Sequence, residues 1–352
     1  MEPGNTINRN AMGHHRHLLA LLAVCAPLFM ADHASAQSVA DFYRGKTLRL
    51  IVGFGPGGGY DSNARLLARF IGGYLPGAPR VVVQNMPGAS SLKAVQYLDN
   101  GAPTDGTVVT AFNAGLVMES LTKPQEIPID LNNYAWIGSL SQEIRVCYVR
   151  SETGIRTWND ALQSPRLTFG ETGRGSASYV DGGILRDILG VKVKTILGYA
   201  GSAEKMIAVE RGELDGDCVS FSSISKKWLS EARIRVISRG SLIMVPDMPA
   251  DTPYVMDLTS DPEKKQLIRF LLSPSAAGRP FIASRSVPAD RVRALQEAFS
   301  ASLKDPLLLA EADKLQLPVV GSMSGQEAAA YIAETTKAGP GLIAAARKIA
   351  GE

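Results

Sequence analysis

The sequence predicts an α/β protein organised in two lobes, and three observations predict it. From residue 37 onward, short β-branched runs alternate with helical patterns, as in parallel sheets covered by helices. A strand, a glycine- or serine-rich loop and a helix recur at 54–61, 84–92, 169–178 and 198–203. At ~150 residues per domain, the 352-residue chain is long enough for about two such units with cores of their own.

A segment of a different kind precedes these elements. Arg9, Arg16 and nearby histidines form a basic start, and an apolar run follows from Leu18 to Met30. That run is shorter than the ~20 apolar residues a bilayer crossing needs. Ala34-Ser35-Ala36 then supplies the small-x-small pattern of a cleavage site, so residues 1–36 read as a secretory signal and the mature chain begins at Gln37. Processing removes Glu2, Arg9, Arg16 and Asp32, so the formal charge of +3 is unchanged. It also removes His14, His15, His17 and His33, all the histidines of the chain. Imidazole-based triads and histidine zinc sites are thereby excluded, and the near-balanced charge argues against a nucleic-acid partner. Cys147 and Cys218 remain, in an oxidising compartment; a disulfide and two buried thiols are equally compatible with their spacing.

In the first lobe, Thr47–Phe54 is a strand, followed by a glycine loop and a helix from Asp61 to Gly72 with its stripe at Leu66, Leu67, Phe70 and Ile71. Arg80–Gln84 is the second strand, with a turn at Asn85–Gly88 and a helix through Leu98. Val108–Phe112 is the third strand, and two apolar runs between Trp136 and Arg150 carry a strand out of the lobe. The second set opens with Leu167–Phe169, the loop Gly170–Ser176 and a helix ending at Gly190. Lys192–Leu197, a turn at Tyr199–Ser202 and a helix closed by Gly212 follow, then the strands Cys218–Phe221 and Ile234–Ser238. Beyond Pro246 the chain is proline-rich and then mostly helical, with Ser324 and Glu327 spaced as a capping box.

The recurring loops carry the functional expectation. In parallel sheets they gather at the carboxyl ends of the strands, where ligands bind. Each offers free N–H groups and the positive end of a helix dipole, so two lobes aiming such loops at each other make a cleft suited to an anion. Nucleotide readings fail: Gly53–Gly59 is followed by Tyr60-Asp61-Ser62 rather than Gly-Lys-Ser/Thr, and the second strand ends in Asn85 rather than an acidic residue. Asp61 and Arg65 are spaced as an i,i+4 pair that pins the helix.

Gly55-Pro56-Gly57-Gly58-Gly59-Tyr60-Asp61-Ser62-Asn63-Ala64-Arg65 resembles the Gly-Gly-x-x-Asp-x-x-Ala-Arg signature of the tripartite tricarboxylate transporter receptors, the Bug-type periplasmic solute-binding proteins. The similarity continues through Asn85–Ala89, Asp105-Gly106-Thr107, Gly173–Ser176 and Tyr199-Ala200-Gly201, and so spans the mature chain. The resemblance implies a Venus-flytrap fold of the periplasmic-binding-protein kind, type II-like, with the ligand in the cleft between lobes. It implies a periplasmic, non-enzymatic receptor that captures a small carboxylate without a cofactor or metal and hands it to a membrane permease. By resemblance the ligand-binding positions are Gly57, Gly58, Gly59, Asp61, Asn85, Pro87, Gly88, Ala89 and Ser90 on the first lobe. Thr172, Gly173, Gly175, Ser176 and Tyr199 are those on the second.

This chain departs from the family pattern at Glu171, where serine is usual, and at Tyr179, where histidine is usual. Ala200 stands where lysine often follows the tyrosine, and Ser90-Ser91 replaces the second glycine cluster. The expected lobes are 44–143 with 240–352, and 144–239 inserted between them. A monomer is expected. The alternatives are an exported serine hydrolase working through a Ser/Lys pair (Ser176 or Ser90, with Lys93) and a receptor serving a membrane sensor.

Overall fold

The computed structural model describes residues 37–350 except 175 and 242. The signal reading at 1–36 and the predicted site residue Gly175 lie outside the described residues. Among the described residues, no helix is long and apolar enough to cross a membrane.

Strands β1 (Thr47–Val52), β2 (Arg80–Asn85), β3 (Val108–Ala111) and β4 (Ala135–Ser139) open the first sheet. The second sheet is built from β5 (Arg145–Arg150), β6 (Leu167–Glu171), β7 (Val193–Leu197), β8 (Gly216–Ser220) and β9 (Ile234–Arg239). The chain then returns to the first sheet as β10 (Pro280–Ala283) and β11 (Met323–Ser324). The orders are β11-β4-β10-β3-β1-β2 and β7-β6-β8-β5-β9.

Alternation along each strand explains why both faces of the first sheet are covered. Leu48, Leu50 and Val52 of β1 pack on one face with Phe281 and Phe299, while Ile51 joins Phe112, Trp136 and Ile282 on the other. In the second sheet, Val146, Tyr148 and Val219 share one face, and Cys147, Val149 and Cys218 the other. Cys147 sits directly opposite Cys218 in the β5/β8 register, and the two form a disulfide. This decides between the two thiol readings left open by spacing.

The structure differs from the sequence reading in three places. The sheets are mixed rather than parallel: β10 runs antiparallel between β3 and β4, and β5 runs antiparallel to both β8 and β9. The segment 136–150 forms two strands, β4 and β5, in different sheets, so the chain crosses from one sheet to the other at 140–144. The single helix expected over 61–72 is two, Gly59–Ala68 and Ile71–Tyr74, parted at Phe70 with φ −116°. Its apolar stripe serves two surfaces: Leu67 and Ile71 enter the main core, whereas Leu66 and Phe70 pack against Leu308, Ala312 and Leu317. The capping box at Ser324 and Glu327 forms as read.

Candidate functional site

The parallel core of each sheet sends its carboxyl-end loops toward one cavity of about 250 Å³. From the first sheet come Phe54–Pro56 after β1, Gly58–Tyr60 at the start of the Gly59–Ala68 helix, and Asn113 after β3. From the second come Thr172 after β6, Ser176–Ser178 at the start of the Ala177–Gly183 helix, and Gly201–Lys205 at the start of the Ser202–Glu210 helix. Three helix N-termini thus open on the same space, each presenting a positive dipole end; that of the Ala177–Gly183 helix carries a side-chain cap from Ser176.

Local chemistry holds the first loop in shape. Asp61 is buried and accepts bonds from Gly57 N (2.9 Å), Arg65 Nε (2.9 Å) and Asn85 Nδ2 (2.8 Å). Burial alone would raise its carboxyl pKa, but these partners outweigh it and hold the group below the usual range. Asn85 also donates to Phe54 O at 2.9 Å, tying the ends of β1 and β2 together. Glycine is required at Gly53, where a Cβ would lie 2.1 Å from Ser91 Cβ; a Cβ on Gly59 would lie 2.8 Å from Arg279 Nη2 and would displace that side chain.

The second loop takes an unusual path. Ala89, Ser90 and Ser91 all have positive φ (44°, 51° and 80°), a strained run for residues with side chains. Its end is fixed by Ser91 Oγ, fully buried, which accepts from Asn113 N at 2.8 Å and so sets the position of a cavity-lining residue.

The predicted positions separate into groups. Gly58, Gly59, Thr172 and Ser176 line the cavity. Gly57 borders an adjoining space that shares Gly59 and Ser202 with it. Asp61 and Asn85 stand behind the first loop as its braces. Pro87, Gly88, Ala89 and Ser90 lie outside the cavity lining, as does Gly173, although Ser90 Oγ is 3.3 Å from a Cβ built on Gly173. Tyr199 packs its ring against Gly170 and the Tyr148–Val219 core. Ser176 Oγ accepts from Tyr179 N at 3.2 Å, capping its helix, and pairs with Ser178 Oγ at 3.2 Å.

Sequence reasoning missed a buried charged set beneath these loops. Arg145 reaches Asp181 (2.7 Å), Glu143 (3.0 Å) and Cys218 O (3.2 Å). Burial would lower its pKa, but Asp181 and Glu143 together raise it. Lys205 donates to Asp217 at 2.7 Å. Asp181 is pushed up to about 6 by burial against the pull of Arg145. Glu171 is buried with Oε2 unbonded, and burial raises its carboxyl well above the usual range despite Lys205 nearby. Arg279 lies over the Tyr60 ring at 4.3 Å and stands 3.6 Å from Glu143. The one signal that could have found these groups is a charge set inside an apolar run, as at Glu143-Ile144-Arg145-Val146 and Arg279-Pro280-Phe281.

Among the described residues, no cluster of three or more His, Cys, Asp or Glu side chains forms a metal site. Residues 75–347 match the family model described as Tripartite tricarboxylate transporter family receptor. The chain belongs to this receptor family.

Similar proteins place the fold in context. A UPF0065 protein of Bordetella pertussis is 27% identical over 223 residues, covering 62% of this chain and 65% of that protein. Among solved structures, the periplasmic binding protein BugD superposes with TM-score 0.68 at 20% identity, covering 87% of this chain and 98% of its own. MatC from Rhodopseudomonas palustris with bound malate gives 0.67 at 17% identity, covering 87% and 99%. A second R. palustris protein, with adipate, gives 0.66 at 19% identity, covering 87% and 97%. The receptor thus shares the α/β fold of these solved structures, built on two mixed sheets.

Proposed function

We propose that this receptor captures a small carboxylate-bearing solute in the cavity between its two sheets and delivers it to a tripartite membrane permease. The observation that carries this reading is the convergence of loop amides, hydroxyls and three helix N-termini from both sheets on one space. Malate and adipate in two solved neighbours support the ligand class. The lobes are residues 44–143 with 240–352, and 144–239. The chain crosses between the sheets at 140–144 and again between β9 and β10, and these crossings are the hinges. Ligand binding shifts the population toward a closed state that bridges Ser90 to Gly173 and Gly58 to Ser202, pairs already near contact. The chain is exported, cleaved after Ala36, and works as a monomer without catalysis.

Thermal shift and calorimetry across carboxylates, amino acids and sugars test the ligand class. A saturable response to carboxylates is expected, and a response confined to sugars overturns it. Intact mass of the periplasmic protein tests processing: a chain starting at Gln37 is expected, and one retaining Met1 overturns the cleavage.

A further inference from the structure

Arg279 is 4% exposed, yet among the described residues its guanidinium makes no hydrogen bond. It lies on the Tyr60 ring and stands 3.6 Å from Glu143, which is held more closely by Arg145 at 3.0 Å. A guanidinium this enclosed has five donors to satisfy and only the cavity side left to satisfy them from. Its Nη2 also abuts Gly59, at the N-terminus of the Gly59–Ala68 helix, where the dipole disfavours a cation. An anion in the cavity relieves both costs.

The other cations of the site are already matched. Arg145 is bound by Asp181 and Glu143, and Lys205 by Asp217. Three cations therefore face Glu143, Asp181, Asp217 and Glu171, and burial pushes the Glu171 carboxyl toward its neutral form, so the set carries no excess positive charge before a ligand enters. One ligand carboxylate is served by Arg279 and the helix N-termini. Among the described cavity-lining residues, a second finds no further unmatched cation and meets buried carboxylates in a medium of low dielectric. Much of the remaining wall is apolar, with Phe54, Pro56, Ala177, Ala203 and Val219.

We propose that Arg279 is the direct cationic partner of the ligand and that the cavity takes a solute with one carboxylate on an uncharged, largely apolar body. This rests on the carboxylate-receptor reading above and narrows it.

Calorimetry on the full exported chain with benzoate and hexanoate, their amides, adipate, malate and citrate tests it. The monocarboxylates are expected to bind at least 10-fold more tightly than adipate, malate or citrate. Each acid is expected to exceed its amide by roughly 100-fold in the native protein, and by little in Arg279→Gln. Arg279→Lys, which keeps the charge and loses the fork, is expected to recover part of the difference. The acid–amide comparison in the native protein needs no variant and stands even if Arg279→Gln misfolds. Equal or tighter binding of dicarboxylates overturns the single-carboxylate assignment. An undiminished acid preference in Arg279→Gln or Arg279→Lys overturns the role of Arg279. Sugar binding with no carboxylate binding instead removes the underlying receptor reading.

Discussion

The two walls of the cavity solve the same problem by opposite means. The first-sheet wall is backbone and ring: glycine loops, the stacked Phe54–Tyr60 pair, and an arginine, Arg279, whose guanidinium makes no hydrogen bond among the described residues. The second-sheet wall presents hydroxyls from Thr172, Ser176 and Ser178 over buried charge, with Lys205 and Asp217 paired beneath. A donor left open can bind an incoming anion, whereas a charge already paired fixes shape and potential but offers no new bond. The contrast teaches that net charge is a poor guide to recognition here, since most of the cations are occupied by the protein itself.

The largest break in this contrast comes from the Lys205–Asp217 pair, 2% and 0% exposed. Lys205→Met leaves Asp217 buried without its counter-ion, and a loss of about 3–5 kcal/mol in urea unfolding is expected. Adding Asp217→Leu should recover much of that loss, because an apolar pair of similar volume removes the stranded charge. If the double variant is as unstable as the single, the pair is not the source of the cost. Next comes the disulfide, which closes a loop between cysteines 71 residues apart on neighbouring strands. Replacing both cysteines with alanine should lower stability by about 2–4 kcal/mol, measured by denaturation under non-reducing conditions.

These groups also mark what the sequence could reveal. β1, β2 and β7 were legible because each is a run rich in β-branched residues leading into a glycine or serine loop. The antiparallel strand β10 was not: Pro280–Ala283 is four buried apolar residues, which periodicity alone cannot separate from a piece of helix. Gly58, Gly59, Thr172 and Ser176 were readable from loop chemistry and resemblance, and they line the cavity. Tyr60, Asn113, Glu143, Arg145 and Arg279 were not, because their partnership exists only once segments far apart in the chain are folded together. The contact between Tyr60 and Arg279 is of that kind.

A smaller effect belongs to the first wall's brace. Asp61→Ala removes an acceptor shared by Gly57 N, Arg65 and Asn85. A loss of about 2 kcal/mol is expected near neutral pH, as for a charge-assisted bond. The sign with pH follows from the depressed carboxyl. The stabilisation is complete above the unfolded aspartate pKa and disappears as pH falls through the lower folded value. The gap between native protein and Asp61→Ala should therefore narrow in acid, as read by thermal midpoints between about pH 7 and pH 3. A constant gap would place the effect in packing rather than in the ionised carboxylate.

The smallest expected effect probes the second wall at Glu171. Its carboxyl faces Lys205, Asp217, Asp181 and Ser178, and burial raises its pKa above the unfolded value. Over the interval between those two values the folded protein holds a proton that the unfolded chain releases, so stability falls as pH rises. Glu171→Gln keeps the neutral shape and cannot ionise. It should match the native protein near pH 5 and exceed it by about 1–2 kcal/mol near pH 8, because a tenfold change in a proton-binding equilibrium corresponds to about 1.4 kcal/mol. Urea midpoints at intervals between about pH 5 and pH 8 measure the difference. A flat difference would mean that Glu171 is ionised in the folded state and shares Lys205 with Asp217. The second wall would then carry an excess negative charge that repels a carboxylate from that side, and the contrast with the arginine-bearing wall would be sharper still.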